Sequence, residues 1–273
     1  MQRFGIDIGG TGIKGAPVDI ERGELAEPRW RILTPQPATP EAMAGPVADL
    51  VKHFGWQGPV GAAFPAVIKN GVARSAANVD QAWIGTDVSA ALSTATGCPV
   101  TVLNDADAAG VAEMTYGVGR DARGLVILCT LGTGIGSAMF LNGELVPNTE
   151  LGHLEIDGVD AELRASDAAR DREGLSWSHY SRRLDRYLQT LEKLFSPDLF
   201  IIGGGASKRS EKFLPRLNLQ TQTIPAALLN NAGIVGAALA AVPATGAPGD
   251  DSPPSPGADG FHDQEVRLAG APA

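Results

Sequence analysis

Two groups of residues in this chain have types and spacing suited to chemistry. Asp105 follows Asn104 where an apolar run gives way to a helical pattern, and Glu150, His153 and Glu155 fall within six residues of one another. A carboxylate fixed at a strand end can take the proton of a hydroxyl whose oxygen attacks, and a neighbouring amide can hold an adjacent hydroxyl. A helix N-terminus selects the same two residue types, since Asn and Asp oxygens accept its free N–H groups. Glutamate and histidine in one short segment can accept hydrogen bonds from several hydroxyls and so hold one of them in line. A purely structural polar cluster is the alternative. H-E-x-x-H zinc chemistry is excluded by residue order, because only Glu150-x-x-His153 occurs. His153-Leu154-Glu155 matches half of a zinc-deaminase signature whose P-C-x-x-C partner is missing.

Three glycine clusters suggest what the second substrate would be. Gly10, Gly12 and Gly15 fit the dinucleotide pattern G-x-G-x-x-G, and Lys14 imitates a nucleotide-triphosphate loop. Both loops require a helix directly after the glycines. Here Ala16-Pro17-Val18-Asp19-Ile20 follows, and proline with β-branched neighbours disfavours a helix. The stretch therefore reads as a β-hairpin with the tip Gly9-Gly10-Thr11-Gly12. Its backbone N–H groups, the Thr11 hydroxyl and the Lys14 ammonium form a nest for a phosphate, and Asp7 can orient a magnesium-bound water beside it. Taken alone, the segment is equally a plain glycine turn. A second loop, Gly132-Thr133-Gly134-Ile135, repeats Gly10-Thr11-Gly12-Ile13 between two strand-like runs, so two hairpins could grip one phosphate chain. Gly203-Gly204-Gly205 closes a third strand and would let an extended ligand approach the backbone. Lys208, Arg209, Lys212 and Arg216 follow it, either as a track for a phosphate chain or as a solvated surface.

The elements that must position these groups are legible in outline. Strands are predicted over 4–8, 14–20, 60–68, 99–103, 125–131, 136–141 and 199–202, with turns at Asn70-Gly71 and Asn142-Gly143. Helices are predicted over 40–54, 87–96, 105–116 and 234–242. The first should bury Ala42, Val47, Leu50 and Val51. Another carries Trp177, Tyr180, Leu184, Tyr187, Leu188, Leu191, Leu194 and Phe195 on one face and stops at Pro197. Two halves, each opening with a hairpin beside a glycine loop, suggest duplicated α/β domains around a cleft. Beyond residue 243, "PATGAPGDDSPPSPGADG" reads as disordered.

Composition narrows the class. The chain has 273 residues, 44% of them hydrophobic and 19% charged, which suits a globular enzyme. Cys98 and Cys129 sit in apolar segments without metal or redox spacing and read as buried, reduced thiols of a cytoplasmic protein. A net charge of −9 argues against nucleic acid, and no apolar run is long enough to span a membrane. The charge is uneven. Residues 1–159 hold 10 basic and 17 acidic side chains, whereas 160–220 hold 11 and 9, so a polyanion would favour the second stretch.

Asp7-Ile-Gly-Gly-Thr, Asn104-Asp105, Leu131-Gly-Thr-Gly-Ile-Gly and Glu150-Leu-Gly-His153 together resemble the ROK sugar kinases. Within them, "TPQPATPE", "SAANVD", "NDADAAG", "PNTELGHLEIDG" and "AGIVGAA" look like the actinobacterial polyphosphate glucokinases and glucomannokinases. The match runs over about residues 4–242. The resemblance implies the actin-like ATPase (ribonuclease H-like) fold. Its N-terminal lobe would be 1–106, joined by helix 232–242, its second lobe 107–231, and 243–273 the tail. It also implies transfer of a terminal phosphoryl group from polyphosphate or ATP to the 6-hydroxyl of glucose, with Mg2+. Asp105 would be the base, and Pro65, Asn78, Asn104, Glu150, His153 and Glu155 would surround the sugar. Asp7, the three glycine clusters, Thr11, Lys14 and Thr133 would face the donor. Partners are then the two substrates and, as is common in the family, a second copy in a homodimer. A glucomannokinase, another ATP-dependent hexose kinase and a non-catalytic sugar-binding member remain alternatives. A repressor of this family would need a helix-turn-helix before the first strand, which is expected at residue 3 or 4. Many members bind zinc through cysteines after the Glu-Leu-Gly-His motif. Here no cysteine follows Cys129, so no zinc is expected. Ala66 replaces the usual glycine of the Phe64-Pro65 loop, and its methyl bears on the fit of that loop to the sugar.

Overall fold

The computed structural model describes residues 1–241, so the tail expected over 243–273 lies outside the described residues. The chain opens with β1 (Gln2–Gly9) and β2 (Gly12–Asp19), paired antiparallel with Gly9 opposite Gly12. Two short strands, β3 (Glu24–Leu25) and β4 (Trp30–Ile32), both add to β2. A proline-rich connector with a cis Gln36–Pro37 bond leads to α1 (Pro40–His53). The Thr39 hydroxyl caps α1 by accepting from the Ala42 N–H, and Pro40 occupies the first turn, where no donor is needed. Met43, Val47, Leu50 and Val51 are its buried face; Ala42, expected there, is only half-buried.

The strand expected over 60–68 is interrupted. β5 (Val60–Phe64) ends before Pro65, and Ile68–Lys69 (β6) turns back on Val72–Ala73 (β7) at Asn70-Gly71. Proline cannot donate to a ladder, which is the physical reason for the break. Then come α2 (Val88–Thr96), β8 (Val100–Asn104) and α3 (Asp105–Thr115). The first sheet has the order β3-β2-β1-β5-β8, with β5 parallel to both β1 and β8.

The second half repeats this plan. β9 (Leu125–Leu131) and β10 (Ile135–Leu141) form an antiparallel hairpin extended by β11 (Glu144–Val146). A small hairpin of β12 (Glu155–Ile156) and β13 (Val159–Asp160) precedes α4 (Glu162–Ala165), α5 (Asp167–Arg172) and α6 (Trp177–Phe195). β14 (Leu199–Gly203) and β15 (Gln222–Pro225) complete the sheet β11-β10-β9-β14-β15, in which β9, β14 and β15 are parallel. The chain then forms α7 (Ala232–Ala240). Tyr180, Leu184, Tyr187, Leu188 and Leu191 of α6 pack on this sheet, but Leu194 is 58% exposed, so the last turn departs from the expected apolar face.

α3 and α7 join the two sheets. α7 lies on β1 and β5 and against α3, which in turn contacts β10. The approach is at backbone distance: a Cβ built on Gly61 would fall 1.7 Å from the Ala237 carbonyl oxygen, and one on Gly236 would fall 1.7 Å from that of Ala108. The largest core side chains are shared between the halves: Tyr180 and Tyr187 lie on the second sheet, and Trp83 packs edge-on to Phe64 of the first and donates its indole N–H to the Ala38 oxygen at 2.8 Å. Each such side chain contributes about 1.5–3 kcal/mol by leaving water. Cys98 and Cys129 are both free and buried, as expected.

Candidate active site

Asp105 is the first residue of α3, held where β8 ends. Asn104, rather than Asp105, caps the helix: its Oδ1 accepts from the Ala106 and Asp107 N–H groups at 2.8 and 3.1 Å. Its Nδ2 donates to the Ala66 oxygen at 3.1 Å, so this buried side chain keeps only its second Nδ2 proton for a ligand. Asp105 accepts the same Ala106 N–H on Oδ1 at 2.9 Å, and no side-chain partner holds its Oδ2 among the described residues. Burial, followed by the negative charge of Asp7, pushes its pKa up to about 7; the Ala106 N–H opposes this, and Glu150 adds to it. The base candidate thus lies within electrostatic reach of both Asp7 and Glu150.

Glu150, His153, Asp160 and Glu162 form one cluster. His153 Nδ1 lies 3.1 Å from Asp160 Oδ2 and 3.9 Å from Glu162 Oε1, and its Nε2 lies 4.0 Å from Glu150. Burial works against the imidazolium, but the Asp160 hydrogen bond and the carboxylates of Glu162 and Glu150 outweigh it, so the His153 pKa is raised. Glu150 is raised too, first by burial. Glu155 is exposed in β12, opposite Asp160. The sequence reading missed Asp160 and Glu162. Both are returned to His153 by a hairpin of two-residue strands, too short for any periodicity, whose one local sign is Asp157-Gly158 with both φ positive.

The loops from the first sheet meet this cluster. Asn148, at φ 59°, accepts the Ile68 N–H at 2.7 Å and donates to the Ile68 oxygen at 2.9 Å, as a paired strand would. Its own N–H is held by Asp107 Oδ2 at 2.8 Å. Asp107 is buried, its Oδ1 has no partner among the described residues, and burial raises its pKa to about 6. Asn148 therefore latches the Pro65–Ala73 segment to the loop that carries Glu150. Pro65 accepts the Ala77 N–H at 3.0 Å, placing its loop beside Asn78, which has φ 62°. Ala66 is buried without a positive φ, so its methyl is accommodated.

On the opposite side the first hairpin tip packs on Asn78: a Cβ on Gly10 would lie 2.8 Å from the Asn78 Cβ. Three successive tip carbonyls are held by β4 and the connector after it, with Thr34 donating to Gly9, Gln36 to Gly10 and Arg31 to Thr11. This clamp, also missed in the sequence, leaves the N–H groups of Gly10 and Thr11 without an acceptor among the described residues. Lys14 Nζ lies 3.2 Å from Asp7 Oδ2. The second tip is tighter, the Gly132 N–H donating to the Gly134 oxygen at 3.0 Å, with the Thr133 side exposed. Glu162 Oε2 accepts the Ile135 N–H at 3.2 Å, tying this tip to the His153 cluster. Gly204, at φ 77°, lies on Leu131, where a Cβ would be 2.5 Å from backbone atoms. Gly203 pairs with Thr130, and Gly205 begins a 3-10 helix to Lys212 broken at Arg209. Arg209 and Lys212 both face the Trp177 ring, at 5.3 and 5.7 Å, while Lys208 is exposed. Among the described residues no group of three or more His, Cys, Asp or Glu is arranged to hold a metal ion, and no helix is long and apolar enough to cross a membrane.

Two sheets of one plan, with glycine hairpins and a strand-end carboxylate converging between them, define a protein of the actin-like ATPase fold. The chain belongs to the ROK family, whose pattern matches residues 3–170. It is 50% identical over 240 residues to the polyphosphate glucokinase of Mycobacterium tuberculosis, covering 88% of this chain and 91% of that one. In structure it resembles the inorganic polyphosphate/ATP-glucomannokinase of Arthrobacter sp. strain KM, with a TM-score of 0.85, 56% identity, and coverage of 87% of this chain and 97% of the other. A ROK family glucokinase from Streptomyces griseus, solved with glucose and AMPPNP, matches at a TM-score of 0.76 and 25% identity, covering 88% and 99%.

Proposed function

We propose that this chain is a glucokinase that moves the terminal phosphoryl group of inorganic polyphosphate or ATP to the 6-hydroxyl of glucose. The observation that carries the reading is that the strand-end carboxylate Asp105 feels the charge both of Asp7, on the first glycine hairpin, and of Glu150, in the cluster with His153. The bond from sugar O6 to the terminal phosphorus forms as the bond from that phosphorus to its bridging oxygen breaks. Asp105 receives the hydroxyl proton, and the shortened phosphate leaves with the electron pair of the broken bond. Glu150, His153 and Glu155, with Asn78, Asn104 and the Pro65 loop, hold the remaining sugar hydroxyls so that O6 points at the donor. The free N–H groups of the first tip, the Thr11 and Thr133 hydroxyls and Lys14 bind phosphoryl oxygens. The third glycine cluster lets the donor pass close to the backbone, and Lys208, Arg209 and Lys212 extend its path outward.

Asp7 is the residue that would hold Mg2+, through water. It is half-buried with one oxygen on Lys14, and a hard cation shared with substrate phosphates needs no more than one or two carboxylates. Such an ion, when bound, neutralises charge on the phosphoryl oxygens. Residues 1–106 with α7 form one lobe and 107–231 the other; their closure on glucose keeps water from the donor. The deciding experiment measures hexose 6-phosphate formation from glucose with polyphosphate and with ATP. No product from either donor would overturn the reading. Mannose is the companion acceptor, because the 56% identity to a glucomannokinase favours a second reading in which both sugars are used.

A further inference from the structure

α6 carries a second face that the proposed chemistry does not use. His179, Arg182, Arg183 and Arg186 lie on one side of the helix, flanked by the buried Tyr187, which lines the same hollow. They line a cavity of about 470 Å3, a size suited to small-molecule ligands. Arg164 of α4 adds a fourth guanidinium from across it, and Asp157 is the single lining carboxylate. Arg183 is engaged by Glu173 at 2.6 Å, and Arg186 reaches Asp157 at 3.4 Å. Among the described residues Arg164 and Arg182 have no acidic partner within ion-pair distance. In a chain of net charge −9, two guanidiniums without a carboxylate partner beside two that have one leave this hollow positively charged.

The cavity is separate from the Asp105 cluster. The β12–β13 hairpin divides the two: Asp160 turns to His153, while its pleat neighbours Ile156 and Val159 line the cavity. With Leu175 these give an apolar wall beside the basic stripe, so the hollow can hold a phosphorylated carbon skeleton as well as a phosphate chain. Planar guanidinium forks bind phosphoryl oxygens in pairs, which an ammonium cannot do.

We infer that the α6–α4 cavity is a second anion site, which takes a phosphoryl group on a small molecule or chain through Arg164, Arg182 and Arg186. Two sources present that chemistry, an inorganic oligophosphate and a sugar 6-phosphate.

The test is calorimetric titration of the full chain at low salt with tripolyphosphate and, separately, with glucose 6-phosphate, in wild type and in Arg182→Glu/Arg186→Glu. Both side chains are exposed, so the fold should persist; circular dichroism checks this, and Arg182→Gln/Arg186→Gln is the milder substitute. Wild type should bind at least one of the two anions with one more site per chain than the variant, or at least tenfold more tightly. Added salt should weaken that site. Loss confined to tripolyphosphate identifies an anchor for a phosphate chain, and loss confined to glucose 6-phosphate identifies a site for a sugar phosphate. Equal stoichiometry and affinity in wild type and variant for both anions would overturn the inference. Binding is read directly, so the result stands apart from whether the chain transfers phosphoryl groups, and turnover with ATP should be unchanged in the variant.

Discussion

Lys14 and Asp7 face each other across the first hairpin, Nζ to Oδ2 at 3.2 Å, directly below the tip that would receive phosphate. The pair is about one-quarter exposed, so it adds at most about 1 kcal/mol to stability. Its consequence is electrostatic, since Asp7 is the largest charge acting on Asp105. Lys14→Met removes the compensating ammonium. The expected result is a melting temperature within a few degrees of wild type, a donor KM raised about tenfold, and an acidic limb of the rate profile moved to higher pH. An unchanged donor KM would detach Lys14 from the phosphate.

Asp105 makes two linked predictions. A base must be ionised to act, and burial with Asp7 holds this carboxyl near pH 7, so kcat/KM should rise with pH up to about 7 and then level. Asp105→Asn should lower kcat by about 10²–10⁴-fold and abolish that limb. The folded state also keeps this proton more tightly than the unfolded chain, whose pKa is the ordinary 3.8. Stability contributed by the protonated form is therefore lost as pH rises from about 4 to about 7. The asparagine variant, which carries no charge, should be more stable than wild type at pH 8, by up to about 4 kcal/mol, and no more stable at pH 4. Denaturant titrations at the two pH values check the sign.

These residues were not equally legible. The hairpins could be read because Gly-Thr-Gly sits at a strand end and Pro17 denies the helix that other phosphate loops need. Asp105 could be read because a β-type run meets a helical one there. The Lys14–Asp7 pair follows from pairing Gly9 with Gly12, since each further step outward matches the next two residues. The clamp of Arg31, Thr34 and Gln36 could not be read, because its segment has the composition of a connector and acts through its fold against the tip. Glu162 depends on a hairpin too short to carry a period, and Asn148 reaches Ile68 across 80 positions with no local sign. What escapes the sequence is the contact between segments that each look like loops.

Asn148 supplies the third prediction. Its side chain replaces a strand for Ile68, and its left-handed backbone suits Asn or Gly. Asn148→Gly keeps the backbone and removes both bonds, leaving Ile68 N–H and C=O unpaired, at a cost of about 1–3 kcal/mol. If the latch sets the Pro65 loop against Glu150, the sugar KM should rise several-fold while the donor KM stays level. Equal increases in both would reduce the latch to a general structural tie.

The joint between the sheets gives the last prediction. Gly61 faces α7 so closely that an added Cβ would sit 1.7 Å from the Ala237 oxygen, a backbone atom that moves only if the helix moves. Displacing α7 also disturbs Asp7, because Gly233 lies under that carboxylate, with room for a Cβ no closer than 3.0 Å. Gly61→Ala should therefore cost about 3 kcal/mol or more, at the upper end of overpacking, and lower kcat in the fraction that folds. Gly45, in the interior of α1, has nothing within 4 Å of such an atom apart from its chain neighbours, one of which is Pro46. Gly45→Ala gains helix propensity but sets its Cβ against the Pro46 ring, so it should change stability by less than about 1 kcal/mol. Urea unfolding of the two variants side by side separates the causes: the same methyl should cost far more at Gly61 than at Gly45, and a Gly61→Ala protein as stable as wild type would mean that α7 is not seated on the sheet at this distance.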